Sequence, residues 1–245
     1  MRIVFLGASH GVPEANRRCS CIMVETHQNR YFIDMGTAAI EQLRTRSIPI
    51  ESVKAIFVTH MHGDHTDGII SFVDLCNWYF KKASPVFVMP EPVLQTKSAI
   101  SAWLKCNGQT MRDFDFRPVS EGLCYQDDLV KITAFKTQHT DMSFAFLLEA
   151  ENKRVLFSGD LSMRGPAADF PVSVFKQPVD LAICECAHFS AKAYLPIFEN
   201  QKNLKSLCFN HYGDCFMGSI FEVRKALESA DIPVYIAEDG TEFNL

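Results

Sequence analysis

Apolar residues in this chain gather into short runs rich in Val, Ile and Phe, separated by polar turns and by longer stretches with apolar positions at helical spacing. The short runs read as buried strands and the longer ones as amphipathic helices. On that pattern residues 2–6, 21–25 and 30–34 are strands, the last two joined by a turn at His27-Gln28-Asn29. Residues 37–47 form a helix that Pro49 stops. A strand at 53–58 is followed by a helix at 66–81, with Ile69, Ile70, Phe72, Val73, Leu75 and Trp78 around one broad face. Residues 85–90 are a strand between prolines, 92–105 a helix, and 113–117 an irregular or edge segment. The second half predicts strands at 129–135, 179–184, 206–209 and 234–237, a hairpin of 143–149 with 154–158, and helices at 190–201 and 218–230. No repeat, low-complexity stretch or linker interrupts this alternation, so residues 1–245 read as a single domain.

Polar residues concentrate where the apolar runs stop. The strand at 53–58 empties into Thr59-His60-Met61-His62-Gly63-Asp64-His65-Thr66-Asp67, which holds three of the eight histidines. His60 and His62 are two apart, so in an extended segment they point to the same side. Asp64 and His65 follow at a turn where a helix starts, and Asp67 reads as that helix's cap. Imidazoles with a carboxylate are the donor set of a zinc-like ion. Three further strands end near His139, Asp160 and His211. Polar residues placed repeatedly at strand ends suggest one shared site at a sheet edge, where α/β folds carry their ligands.

His60-Met61-His62-Gly63-Asp64-His65, followed in order by His139, Asp160 and His211, resembles the metallo-β-lactamase superfamily over nearly the whole chain. The resemblance implies an α/β (α+β) fold, a four-layer αββα sandwich of two mixed β-sheets with helices on the outer faces. It also implies a dinuclear metal site. His60, His62 and His139 would hold one ion, Asp64, His65 and His211 the other, and Asp160 would bridge them. Asp34 in Ile33-Asp34-Met35-Gly36 matches the aspartate that supports the metal loop from behind. Zinc is the first expectation for the two divalent ions, with manganese, iron or nickel as alternatives. Asp64, doubling as a ligand, and His188 are the candidates for catalytic roles.

Composition narrows the partners. The chain has 245 residues, 47% hydrophobic and 22% charged, enough to bury a large core. Its net charge of -5 does not favour non-specific attraction to nucleic acid. No apolar run reaches the roughly 18 residues of a membrane span. Nine cysteines, an odd number without framework spacing, and no secretion signal at the N-terminus point to reduced thiols in a cytoplasm. Cys184, Cys186 and Cys208 lie in apolar runs and read as core residues. Cys19-Ser20-Cys21 is half of a metal knuckle whose second pair does not follow.

The N-terminal loop Phe5-Leu6-Gly7-Ala8-Ser9-His10-Gly11-Val12-Pro13 is similar to that of the superfamily's phosphodiesterase branch, which includes tRNase Z and cyclic-phosphate phosphodiesterases. The long Gly/Pro/Lys-rich arm of tRNase Z is absent between residues 81 and 130, which disfavours tRNA. In Cys184-Glu185-Cys186-Ala187-His188-Phe189, Cys184 stands where that branch has a histidine, and His188 follows four residues later as a candidate to protonate a leaving oxygen. His10 is a weaker candidate of the same kind. Arg17 and Arg18 offer a positive rim for a phosphate. The expected function is a metal-dependent hydrolase using activated water on a phosphodiester of a small or modest-sized anionic substrate. The alternatives are a lactone, carboxylic ester or thioester hydrolase on the same site, and a non-hydrolytic cofactor-biosynthesis or binding member of the fold. No membrane partner is expected, and an oligomer stays open.

Overall fold

The computed structural model describes residues 1–245. Strands β1 (Arg2–Gly7), β2 (Cys21–Thr26) and β3 (Asn29–Ile33) open the chain. Then come α1 (Ala39–Thr45), β4 (Val53–Phe57), α2 (Gly63–Trp78), β5 (Val86–Met89), α3 (Val93–Cys106) and β6 (Asp115–Pro118). The second half runs β7 (Gly122–Gln126), β8 (Lys131–Lys136), β9 (Phe144–Ala150), β10 (Lys153–Phe157), β11 (Leu181–Cys186), α4 (Leu195–Phe198), β12 (Leu207–Tyr212), α5 (Met217–Glu228), β13 (Val234–Ile236) and β14 (Glu242–Asn244).

These strands form two seven-stranded sheets, ordered β14-β1-β2-β3-β4-β5-β6 and β13-β12-β11-β10-β9-β8-β7. Both are mixed: β3 to β6 and β10 to β13 pair in parallel, the remainder antiparallel. Parallel neighbours need crossovers, and helices in those crossovers cover the sheets. Side-chain alternation then builds three apolar layers. In β4, Ala55 and Phe57 join the layer between the sheets, whereas Ile56 packs outward with Ile69 and Phe72 of α2. In the second sheet Leu156 and Phe209 pack outward against Phe198 of α4 and Ile220 of α5. The result is the expected αββα sandwich. No helix is long and apolar enough to cross a membrane.

The differences from the sequence pattern have local causes. Helix α2 starts at Gly63 rather than 66, which places Asp64 and His65 in its first turn. Asp67 therefore lies inside the helix, exposed, and does not cap it. The helix expected at 190–201 is a 3₁₀ turn at Ala191–Tyr194 followed by the single turn of α4, where Pro196 lacks an N–H to continue a ladder. Strand β12 runs past 209, so His211 belongs to it. β7 and β14 escape a hydrophobicity reading because β7 has no buried residue and β14 is only three residues long, also with none buried. Residues 113–117 overlap β6, which is an edge strand as expected.

Candidate metal centre

The site begins at the end of β3. Asp34 takes a left-handed conformation, φ +60°, which Asp tolerates better than most residues. Its carboxylate accepts from Thr59 N at 2.7 Å and Thr59 Oγ1 at 2.9 Å, and faces His65 Nδ1 at 2.7 Å. One buried carboxylate thus fixes both the exit of β4 and the ring of His65. Gly36 lets the chain pass against α2: a Cβ there would lie 1.7 Å from Asp64 O. Across the site Gly159, φ +56°, turns the chain from β10 into Asp160, and a Cβ would meet Phe144 O at 2.7 Å. Thr137 Oγ1 donates to Asp160 O at 3.1 Å, tying the β8–β9 loop that carries His139 to the end of β10. His211, also left-handed at φ +48°, is held through its N–H to Ala8 O at 2.9 Å.

All seven residues singled out as ligands converge. On one side His62 Nδ1 lies 2.9 Å from His60 Nε2 and 3.2 Å from His139 Nε2. On the other, Asp64 Oδ2 lies 3.2 Å from His65 Nε2 and 3.7 Å from His211 Nε2. Asp160 stands between them. Its Oδ2 is 3.7 Å from His60 and 3.6 Å from His139; its Oδ1 is 3.4 Å from His65 and 3.3 Å from His211. Each group of three brings one donor atom per residue to within 4.8 Å of the others.

Charge and burial suit a cation. Burial, aided by neighbouring His65, pushes His60 down to about 2, and burial likewise lowers His139. Both are therefore neutral imidazoles at neutral pH, the form that ligates a metal. Burial also disfavours charge on His65, but Asp160 and Asp34 outweigh it and hold that ring well above its ordinary value. Burial opposes ionisation of Asp64, yet the hydrogen bond and charge of His65 bring it down to about 2. His65 Nε2 and Asp160 Oδ1 are buried without a hydrogen-bond partner. Such atoms cost about 1–3 kcal/mol each when left unpaired. A divalent ion would satisfy them, and imidazole and carboxylate are suitable donors for one.

His188 joins the same site. Its Nε2 lies 3.8 Å from Asp160 Oδ2, and it groups with His139 and Asp160 as a further metal-capable cluster. The residue that puts it there is Glu185, one percent exposed at the inter-sheet side of β11. Glu185 accepts from Leu161 N at 2.7 Å and Ala187 N at 2.9 Å, and faces His188 Nδ1 at 2.9 Å. Burial lowers the His188 pKa, but the hydrogen bond and charge of Glu185 raise it overall. The sequence signal for Glu185 was a charge inside an apolar run, which burial permits only when the charge is paired. Cys184 and Cys186 pack outward among apolar residues and Cys208 packs between the sheets, as expected. All nine cysteines are free.

The rim differs from the sequence reading. Arg17 is stacked 4.0 Å over the Tyr212 ring and donates to Asp214 at 2.9 Å; Arg18 pairs with Asp239 at 3.0 Å. Both charges are neutralised by carboxylates, so neither forms a free positive rim. His10 faces Glu14 at 3.1 Å and belongs to none of the metal-capable clusters.

Comparison with known proteins agrees with this architecture. Ribonuclease Z of Listeria monocytogenes serotype 4b is 25% identical over 158 residues, covering 63% of this chain and 51% of its own. The chain spans about half the length of the curated relatives it matches. The crystal structure of the short form of human tRNase Z superposes with a TM-score of 0.77 at 18% identity, covering 100% of this chain and 99% of that one. Zn(2+)-bound PqqB from Methylobacterium extorquens superposes with a TM-score of 0.70 at 14% identity, covering 100% of both chains. At these identities the superpositions speak for the metallo-β-lactamase fold alone. Residues 1–193 match the family described as Anti-Pycsar protein Apyc1, and the chain belongs to that family, on a metallo-β-lactamase fold.

Proposed function

We propose that the protein is a metal-dependent phosphodiesterase. His60, His62 and His139 would hold one divalent ion, Asp64, His65 and His211 a second, and Asp160 would serve both. The observation that carries this reading is the division of Asp160, whose two oxygens each face a different histidine pair at 3.3–3.7 Å. Zinc fits the nitrogen and oxygen donors, and manganese, iron and nickel remain alternatives. When bound, such ions lower the pKa of water from 15.7 to roughly 7 and stabilise charge on phosphoryl oxygens.

The chain's own groups supply the rest. Glu185 occupies Nδ1 of His188 and leaves Nε2 turned toward the centre, 3.8 Å from Asp160. Held this way, Nε2 delivers a proton to the leaving oxygen as the P–O bond breaks. Asp34 keeps His65 oriented, and burial keeps His60, His65, Asp160 and His211 out of bulk water, whereas His62 is exposed. His62 and Gln138 are exposed and His139 and His188 half-buried, so the groups that solvent reaches at the centre are polar apart from Met61. The expectation against tRNA rests on the absent arm, and relatives named Ribonuclease Z weigh against it. A 3′-extended tRNA precursor therefore belongs among the substrates assayed.

The test is hydrolysis of bis(p-nitrophenyl) phosphate by protein loaded with zinc or manganese, beside a lactone panel and the tRNA precursor. Turnover of the diester is expected, with two metal ions per chain by elemental analysis. His188→Ala should cut kcat by about 10²–10⁴-fold, the worth of a positioned proton donor, while metal content stays unchanged. Lactone turnover without diester turnover would sink the reading, and an unchanged kcat in His188→Ala would remove His188 from it.

A further inference from the structure

A site for an anionic ester needs a cation to receive it, and Arg17 and Arg18 are already paired with Asp214 and Asp239. The uncommitted cation at this edge is Arg164. It lies four residues after Asp160, exposed on the loop that leaves β10, between buried Ser162 and Gly165. Its Nη2 donates to Gln138 Oε1, its Nε lies 3.5 Å from Ser162 Oγ, and its backbone N–H is 3.3 Å from the same hydroxyl. These acceptors are uncharged. They orient the guanidinium without cancelling its charge, which a carboxylate partner would do.

The acceptor is itself fixed. Gln138 Nε2 donates to Ala168 O at 3.1 Å, which turns Oε1 toward Arg164. Gln138 N donates to Asp169 Oδ2 at 2.6 Å, and Ser162 N donates to the same oxygen at 2.9 Å. Asp169 therefore joins the segment before His139 to the segment after Asp160, and the Arg164 head is tied to both. An arginine held in place, charged and exposed meets the requirements for binding an anion with little ordering cost.

We infer that Arg164 is the substrate-anion receptor of this site and takes a phosphate oxygen of the ester. This rests on the phosphodiesterase reading above. The phosphate has two possible sources: the scissile group, or a further phosphate elsewhere on the same substrate. Arg164 adds no bond-making step; its role is to position the ester on the His139 side of the centre.

The experiment compares wild-type enzyme with Arg164→Gln, both metal-loaded, on two p-nitrophenyl esters. One is thymidine 5′-(p-nitrophenyl phosphate), with a single phosphate; the other carries an added 3′-phosphate. Loss of a charge-assisted bond should raise KM about 10- to 100-fold with kcat little changed. A rise with both esters assigns Arg164 to the scissile phosphate, and a rise confined to the two-phosphate ester assigns it to the second group. Arg164→Lys should recover part of the loss, because it keeps the charge without the fork. An unchanged KM with both esters overturns the proposal. So does a fall in bound metal or thermal midpoint that accounts for the whole effect, since Arg164 would then only hold two loops together. If wild-type protein hydrolyses neither ester, the phosphodiesterase reading fails by itself. Calorimetric titration of inorganic phosphate into metal-loaded protein then decides for Arg164: binding about 10-fold or more weaker in Arg164→Gln supports it, and equal binding overturns it.

Discussion

Asp34 does two jobs with one carboxylate. Its φ of +60° turns the chain at the end of β3, and its oxygens serve Thr59 and His65. Asn tolerates the same left-handed backbone, and its carbonyl can still accept from Thr59 N. Its NH₂ group, however, would face His65 Nδ1, which then loses its acceptor. Asp34→Asn should therefore lower the thermal midpoint of the apo-protein, since a buried donor is left unpaired at a cost of about 1–3 kcal/mol, and weaken metal binding about 10–100-fold, the usual cost of losing a partner behind a ligand. Competition against a chelator of known affinity measures this, and equal affinity in both proteins would contradict it. Among single residues the converging histidines and aspartates were readable because they punctuate strands. Glu185 was not, because its purpose is apparent only from His188 and Leu161 packed around it.

At the scale of elements, the β7–β8 turn is fastened to the first sheet by Asp127. Its carboxylate accepts from Tyr31 Oη of β3 at 2.6 Å, Tyr125 Oη at 3.0 Å, and the N–H groups of Leu129 and Val130 at 2.8 Å. Burial raises its pKa, but these four donors outweigh burial and hold it below the ordinary value. A carboxyl depressed in the folded state stabilises the protein above its unfolded pKa of about 3.9 and loses that contribution as pH falls through the folded value. Asp127→Asn should thus be less stable than wild type at pH 7 by about 1 kcal/mol, the net worth of hydrogen bonds to a partly screened carboxylate. The gap should close as the pH drops below 4. Urea midpoints across a pH series test both the sign and the window; a gap that is constant with pH would show that the charge does not matter. The strands were readable from their apolar runs except β6, β7 and β14, none of which holds a buried residue. The start of α2 lay three residues earlier than periodicity suggested. Packing of Gly36 and Gly68 against neighbouring backbone sets that start, and amphipathic spacing does not record it.

For the molecule as a whole, the two sheets bring together residues from 34 to 211 at one edge. Ions bound there stabilise only the folded chain. With free ion at about 100 times its Kd, linkage contributes about 2.7 kcal/mol for each ion, or about 5–10 °C per ion in a chain of this size. Differential scanning with and without a chelator should show a shift of that order, restored by zinc or manganese; a midpoint indifferent to chelation would argue against resident ions. Order along the chain was enough to single out the residues that converge and the αββα class, because strand-end chemistry and periodicity are local properties. It was not enough to tell which arginine stays free, or what holds His188. Arg17 and Arg18 look available in the sequence, yet Asp214 and Asp239, about 200 residues away, take both charges. Such pairings depend on sheet order and register. Those are set by the burial of the whole core and leave no local trace at the residues they bring together.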